Sequence, residues 1–146
     1  MASKKAYLDG IRKATEKYAR KEKHRVARPH RHSPEKVLEK EIMAYLISIG
    51  ASVDVVEASN YGTDFWKRPA IRAGFSDIVG NLQGGRALYL ELKAPGRRNT
   101  LKDHQREFLI EKIKSGAFAA CVDSVKLLSE LVNGPASFDD LLANMP

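Results

Sequence analysis

Residues 74–93 read GFSDIVGNLQGGRALYLELK, and this stretch decides the fold that the 146-residue chain is predicted to adopt. Two apolar runs, 76–82 and 86–93, are separated by a glycine pair at 84 and 85. Apolar runs of this length are typical of strands, and a glycine pair between them is a strong signal for a tight turn. The stretch therefore predicts a β-hairpin.

Charged side chains stand at the open end of this predicted hairpin. Alternate residues of a strand face the same side, so Glu91 and Lys93 are expected to point together while Leu92 points into the core. Folding at the glycine pair brings Asp77 back beside Glu91 or Lys93. Two carboxylates and an ammonium group are then expected to share one end of a sheet.

Such a group allows two interpretations. Charges within apolar runs are costly unless they are paired or bound to a metal ion. Oxygens of Asp77 and Glu91, with the Leu92 carbonyl, suit a hard cation such as Mg²⁺, and Lys93 could hold an attacking water or stabilise charge on a phosphate. The alternative is a structural salt bridge at a strand end.

The rest of the chain predicts an α/β order around the hairpin. Helical spacing of apolar residues, capping residues and Gly/Pro positions mark the element ends. In chain order we expect a basic helix over 3–27, a helix from Ser33-Pro34 to Gly50 with Leu38, Ile42, Leu46 and Ile49 buried, a strand over 51–58, a long loop over 59–75, the hairpin, a helix over 101–115 capped by Thr100, a strand over 117–122, and short helices over 124–132 and 137–144.

The charge is unevenly distributed. The formal net charge is +7, and residues 1–34 hold 11 Lys and Arg against three acidic residues, or +8, which leaves the remainder at −1. A basic arm on a near-neutral body favours a polyanionic partner such as nucleic acid. The arm lacks the large apolar face of interfacial helices, so a membrane partner is not expected. A solvated helix that only aids solubility is the alternative.

Several classes of protein are excluded by composition. No apolar run approaches the roughly 18 residues of a transmembrane helix, and no secretory signal is present. Phosphate-binding and dinucleotide-binding glycine motifs are absent, so no nucleotide cofactor is expected. The chain has one cysteine, which fits a reducing compartment. We expect a cytoplasmic protein, or one of the host-cell cytoplasm if the source is a virus.

The motif blocks resemble those of the PD-(D/E)xK nuclease superfamily, and more narrowly of its VRR-NUC branch. The blocks are GFSDIVG at 74–80, ELKAPG at 91–96 and QREF at 105–108. Ser76 stands where the family typically has proline. The resemblance covers 34–123 and implies a restriction-endonuclease-like αβββαβ core, with a mixed central sheet flanked by helices.

The resemblance also implies roles for particular residues. It assigns Asp77 and Glu91 to the metal and makes Lys93 the catalytic lysine. It implies an acidic residue on the first core helix that takes a second metal or orients water, for which Glu39 is the first choice and Glu35 the alternative. Gln105 is expected to face the cleft and to bind phosphate or water, with a plain exposed glutamine as the alternative.

Cations near these motifs are candidates for DNA contact. Positively charged side chains directly after the catalytic strand are well placed to bind phosphate, and a solvated loop is the alternative. The loop at 59–75 carries aromatic residues beside its cations, which suits contact with bases or sugars or, equally, a local apolar cluster. The candidates are Arg97, Arg98, Lys102, Arg106, Lys67, Arg68 and Arg72.

Together these features predict a basic helical arm over 1–33 and a nuclease domain over 34–146. The expected activity is Mg²⁺- or Mn²⁺-dependent hydrolysis of DNA phosphodiesters. The small stand-alone form of the VRR-NUC family implies a homodimer that cuts branched DNA such as four-way (Holliday) junctions. A restriction-type duplex endonuclease and a non-enzymatic DNA-binding protein on a nuclease scaffold are the alternatives.

Overall fold

A computed structural model describes residues 33–56 and 74–146 of the chain. The predicted basic helix, most of the predicted 59–75 loop and the end of the predicted first strand lie outside these residues. So do the candidate DNA contacts Lys67, Arg68 and Arg72. These expectations stay predictions.

The element order of the predicted core is confirmed. The elements are helix α1 (Pro34–Ser48), strands β1 (Ser52–Val55), β2 (Ile78–Asn81) and β3 (Ala87–Leu92), a 3₁₀-helix (Arg98–Thr100), helix α2 (Asp103–Lys114), strand β4 (Phe118–Val122), and helices α3 (Val125–Asn133) and α4 (Phe138–Ala143). No helix among the described residues is long and apolar enough to cross a bilayer.

The four strands form one mixed sheet in the order β1-β2-β3-β4. Strand β2 is antiparallel to both β1 and β3, and β4 runs parallel to β3. Parallel neighbours require a crossover connection, which α2 supplies here. As a result, the end of β3, the end of β4 and the start of β2 lie at the same edge of the sheet.

Helices flank the sheet and exclude water from its centre. Helix α1 packs against α3, and α2 packs against β4 and α4. All five residues of β4 are buried, as expected of a strand covered on both faces. The predicted stripe of α1 is confirmed for Leu38, Ile42 and Leu46, which are its buried residues, whereas Ile49 lies just past the helix end and is only partly buried.

Local chemistry explains where the first helix begins and how the hairpin turns. The Ser33 side chain accepts a hydrogen bond from the Lys36 amide at 3.3 Å, which satisfies one of the free donors at the start of α1. Gly84 and Gly85 have φ values of 97° and 92°, a conformation that costs glycine little. The hairpin turn therefore lies where the glycine pair predicted it.

The predicted start of the second long helix is wrong. The chain forms the 3₁₀-helix first, and the Thr100 hydroxyl donates to the Arg97 carbonyl at 2.7 Å instead of capping α2. Lys102 is the N-cap residue, and its amide donates to the Gln105 side-chain oxygen at 3.1 Å. Gln105 thus supplies the side-chain acceptor that Thr100 was expected to supply at the start of the helix. Helix α2 begins two residues later than predicted.

Candidate active site

Three charged side chains meet at the sheet edge where β2 begins and β3 ends. The pairing of Ile78 with Leu90 continues outward, so Asp77 lies beside Glu91 on the neighbouring strand. The Lys93 ammonium lies 2.7 Å from Glu91 Oε1. The Asp77 carboxylate accepts a hydrogen bond from the Leu92 amide at 2.8 Å. The structure therefore brings together the three residues that the sequence singled out.

Glu91 is the most constrained member of this group. The residue is 2% exposed. Its Oε1 atom accepts hydrogen bonds from the Lys93 ammonium and from the Gln105 amide. Its Oε2 atom is also buried and has no hydrogen-bond partner among the described residues. A buried carboxylate oxygen without a partner is costly, so this atom is available to a ligand.

Electrostatics at the site disfavour two ionised carboxylates. Burial raises the pKa of Glu91 to about 7, and the negative charge of Asp77 adds to the shift while Lys93 opposes it. Burial also raises the pKa of Asp77, against the Leu92 amide and the Lys93 charge, which lower it. The positive charge of Lys93 therefore offsets only part of the repulsion between Asp77 and Glu91.

The two candidate acids of α1 act on this site through their charges. Burial is the main cause of the raised pKa of Asp77, and the charges of Glu35 and Glu39 add to it. The charge of Glu35 also contributes, after burial and Asp77, to the raised pKa of Glu91. Glu39 is paired with the Lys36 ammonium at 3.0 Å. Glu35 thus acts on both carboxylates, while a lysine partly neutralises Glu39.

The helix acids do not complete a ready-made metal cage. Within 33–56 and 74–146, no group of three or more His, Cys, Asp or Glu side chains could hold a metal ion. The structure therefore does not gather Glu39 into one ligand set with Asp77 and Glu91. A role for Glu39 or Glu35 in orienting water stays a prediction.

The residues present nevertheless fit a hard divalent cation. Asp77 and Glu91 supply carboxylate oxygens, the ligand type that Mg²⁺ and Mn²⁺ prefer. The buried Oε2 atom of Glu91 lacks a hydrogen-bond donor in the described chain. Mg²⁺ typically uses one or two carboxylates and completes its shell with water and phosphate oxygens. The contribution of the Leu92 carbonyl stays a prediction.

Gln105 points toward the carboxylates, as the sequence led us to expect. Its side-chain nitrogen donates to Glu91 Oε1, and its side-chain oxygen accepts from the Lys102 amide at 3.1 Å. One side chain therefore joins the first turn of α2 to the carboxylate. The predicted contact of Gln105 with phosphate or water is not tested by this arrangement.

The cations near the site differ in how freely they face solvent. Arg97 and Lys102 are exposed. Arg106 is partly buried and lies 3.8 Å from the Asp103 carboxylate. Phosphate contacts by these side chains stay predictions.

Arg98 faces the protein interior instead. Its guanidinium donates to the Cys121 carbonyl at 2.9 Å, to the Asn144 side-chain oxygen at 3.0 Å and to the Asn144 carbonyl. These contacts give Arg98 a structural role.

Asp123 is a residue at the site edge that the sequence analysis left without a role. Its carboxylate accepts a hydrogen bond from the Gly96 amide at 2.9 Å. It directly follows β4, the parallel neighbour of the strand that leads to Lys93. An acidic residue immediately after a buried strand was the signal that could have found it.

Cys121 lies beside Glu91 in the register of β3 and β4. The residue is 1% exposed, and burial raises the pKa of its thiol to about 11. The thiol is therefore protonated at neutral pH and behaves as a small apolar residue.

Comparison with known proteins identifies the fold. No family model matches the sequence, and no curated protein is significantly similar to it. A solved structure described as a VRR_NUC domain is similar, with a TM-score of 0.53 and 22% sequence identity, over 70% of this chain and 97% of that one. The likeness establishes the fold, so the predicted α/β core with a mixed sheet flanked by helices is confirmed.

Proposed function

We propose that this chain, which has the fold of a VRR-NUC domain, is a metal-dependent endonuclease that hydrolyses DNA phosphodiesters. The observation that carries the proposal is the buried Glu91 carboxylate. One of its oxygens is held by Lys93 and Gln105, and the other has no hydrogen-bond partner in the described chain. A salt bridge kept only for stability is expected to satisfy both carboxylate oxygens, because a buried oxygen without a partner costs stability.

Asp77 and Glu91 are the residues that would hold Mg²⁺ or Mn²⁺. When bound, such an ion polarises a phosphate and lowers the pKa of a water molecule. The chain's own contribution is to fix the two carboxylates. The Leu92 amide orients Asp77, and the Gln105 amide orients Glu91. Orientation of this kind lowers the cost of arranging groups during the reaction.

Lys93 is the chain's own electrophilic group. An ammonium has three donors, and Glu91 Oε1 takes one of them at 2.7 Å. The other donors can hold the attacking water or an oxygen of the phosphate, where negative charge grows as the water oxygen bonds to phosphorus. The ester bond from phosphorus to the leaving sugar oxygen then breaks, the attacking water gives up a proton to solvent, and the leaving oxygen takes one up. The Lys93 side chain is 13% exposed, which keeps its charge poorly screened by solvent.

The choice of DNA as substrate rests on charge outside the carboxylate group. Arg97 and Lys102 are exposed close to the end of β3, and residues 1–34 carry a net +8. Lys and Arg contacts with phosphates supply most non-specific affinity for DNA. A near-neutral body with one basic segment therefore suits a substrate that carries a charge at every nucleotide.

We place the substrate among branched DNAs, with the four-way junction as the first choice, and the active form as a homodimer. The support is the motif resemblance of 34–123 to the VRR-NUC family. Symmetric cleavage of a junction needs two active sites, and a two-fold dimer supplies them in a fixed geometry.

A cleavage assay with four-way junction, flap and linear duplex DNA, each with and without Mg²⁺, tests the proposal. We expect cutting only with the metal, with the junction cut most efficiently. Cutting at one particular sequence of linear duplex would favour a restriction-type enzyme. Binding without cutting of any substrate, in Mg²⁺ or Mn²⁺, would overturn the proposed activity.

A further inference from the structure

The segment that follows Lys93 has a defined turn geometry. The Arg97 amide donates to the Ala94 carbonyl at 2.9 Å, which closes a four-residue turn. Pro95 and Gly96 occupy the centre of this turn, and Gly96 has a φ of 75°. Proline followed by glycine with positive φ is typical of a type II turn. Because proline fixes its own φ, the chain direction after β3 is restricted from the outset.

Two side-chain contacts attach this segment to the end of β4. The Asp123 carboxylate accepts the Gly96 amide at 2.9 Å. The Arg98 guanidinium reaches the Cys121 carbonyl at 2.9 Å and Asn144. Beyond the turn, Leu101 is 6% exposed and belongs to the core. Residues 94–101 are therefore held at three points, two polar and one apolar.

Two of the side chains that stay exposed in and directly after this anchored segment are cationic. Arg97 lies between the two polar anchors, and Lys102 directly follows the apolar one. Both are exposed, whereas Arg98 is committed to the interior. The segment thus presents one positive charge on either side of the short 3₁₀-helix, next to the edge that carries Lys93.

Asp123 carries a negative charge close to the segment that presents the exposed cations Arg97 and Lys102. A carboxylate close to a surface for a polyanion weakens attraction to that polyanion. The contact with the Gly96 amide requires only an oxygen acceptor, but the aspartate side chain also brings a negative charge. Its effect on DNA binding can therefore be separated into charge and geometry by substitution.

We propose that Asp123 is a positioning residue that, with Arg98, holds residues 94–101 so that Arg97 and Lys102 contact phosphates beside the scissile bond. This inference rests on the proposed nuclease function and adds to it a support for the phosphate-binding segment. Neither Asp123 nor Arg98 is proposed to touch the reacting atoms.

The test compares Asp123→Asn with Asp123→Ala. Both substitutions remove one negative charge, but only asparagine keeps an oxygen that can accept the Gly96 amide. If Asp123 acts only through its charge, both variants should bind DNA equally, and slightly more tightly than wild type. Positioning predicts that Asp123→Ala binds junction DNA about 5- to 10-fold more weakly than Asp123→Asn. The slope of log K against log salt should also fall by roughly one for each phosphate that the segment no longer binds.

A matched control and two further measurements check the positioning role. Asp139→Ala removes one exposed carboxylate in α4 and should match wild type in slope. Arg98→Lys keeps the positive charge but cannot reproduce the forked contacts with Cys121 and Asn144, so it should weaken binding in the same direction as Asp123→Ala. Exchange of the Gly96 amide hydrogen should be faster in Asp123→Ala than in Asp123→Asn, whether or not DNA is present.

The outcomes distinguish this inference from the function on which it rests. If wild-type protein cuts DNA but Asp123→Ala and Asp123→Asn share one affinity and one salt slope, the positioning role is wrong and the nuclease function stands. If wild-type protein neither binds nor cuts any substrate, both are wrong. Weaker binding of Asp123→Ala with an unchanged thermal unfolding midpoint supports the positioning role.

Discussion

Glu91 is the side chain of the candidate site whose ionisation costs the most free energy in the folded protein. It is 2% exposed, lies beside a second carboxylate and has one oxygen without a hydrogen-bond partner among the described residues. The sequence predicted that Glu91, Asp77 and Lys93 would meet, because strand alternation and a glycine turn depend on local patterns. It did not predict that Gln105 would bind Glu91, because that contact depends on how α2 packs on the sheet.

The stability of the metal-free protein is expected to fall as pH rises from about 4.5 to about 7. Burial and Asp77 raise the pKa of Glu91 from 4.5 to about 7. Between these values the folded state keeps a proton that the unfolded state has released, so folding becomes less favourable with increasing pH. The raised pKa of Asp77 acts in the same direction. The full effect of Glu91 is about 3 kcal/mol, reached above pH 7.

Urea unfolding in EDTA at pH 5 and pH 8 measures this effect. Relative to wild type, Glu91→Gln should gain about 2.5 kcal/mol more stability at pH 8 than at pH 5, because glutamine carries no charge to bury and part of the effect is already present at pH 5. Glu107→Gln, at an exposed position on α2, is the matched control and should show no such difference. An equal effect of Glu91→Gln at both pH values would contradict the assigned burial cost.

Substitution of the three charged residues should abolish cutting and leave binding largely intact. Asp77→Asn, Glu91→Gln and Lys93→Ala each remove a charge from the site while the exposed cations remain. We expect cleavage rates to fall by at least about 100-fold, the loss typical of removing one electrostatic contribution to a transition state. Single-turnover cleavage and binding to junction DNA in Ca²⁺ would be measured in parallel. Retained cutting by all three variants would remove the site assignment.

At the level of secondary structure, the sequence predicted elements better than the contacts between them. The helix and strand order from α1 to α4 agrees with apolar spacing and capping residues, which are local signals. The start of α2 was placed wrongly because Gln105, not Thr100, satisfies the amide of Lys102. The interior role of Arg98 was missed because its partners are 23 and 46 residues further along the chain.

Gly80 is an element-level position at which a single methyl group should disturb the sheet. A Cβ atom there would lie 2.1 Å from the Ser52 carbonyl oxygen in β1. Because the obstacle is backbone, β1 must move away from β2, and we expect Gly80→Ala to cost about 1–3 kcal/mol. Gly85→Ala, where φ is positive but the space around the added atom is open, should cost less, about 1 kcal/mol. Thermal or urea unfolding would compare the two, and an equal loss of stability would contradict the close approach of β1.

For the molecule as a whole, the excess positive charge and the candidate chemistry belong to different segments of the sequence. The carboxylate site lies on the sheet, and most of the excess positive charge lies in residues 1–34. Composition could predict this separation because charge is counted directly from the sequence. It could not predict the path of the basic segment, which falls outside the described residues.

Deletion of residues 1–32 should weaken DNA binding and reduce its salt dependence. The truncation keeps Ser33, which caps α1, so the remaining domain retains the start of its first helix. If the segment neutralises several phosphates, the slope of log K against log salt should fall by roughly 0.9 for each phosphate that it neutralised. Fluorescence anisotropy with junction DNA from low to moderate salt would measure the slope. An unchanged slope would mean that the basic segment makes no electrostatic contribution to binding.

The proposed activity depends most on Asp77 and Glu91 forming one site for a divalent cation. Calorimetric titration of Mn²⁺ into wild-type protein and into the Asp77→Asn/Glu91→Gln double variant, without DNA, tests this directly. We expect wild-type protein to bind Mn²⁺ and the folded double variant to lose that binding. Equal binding by both proteins would contradict the central claim.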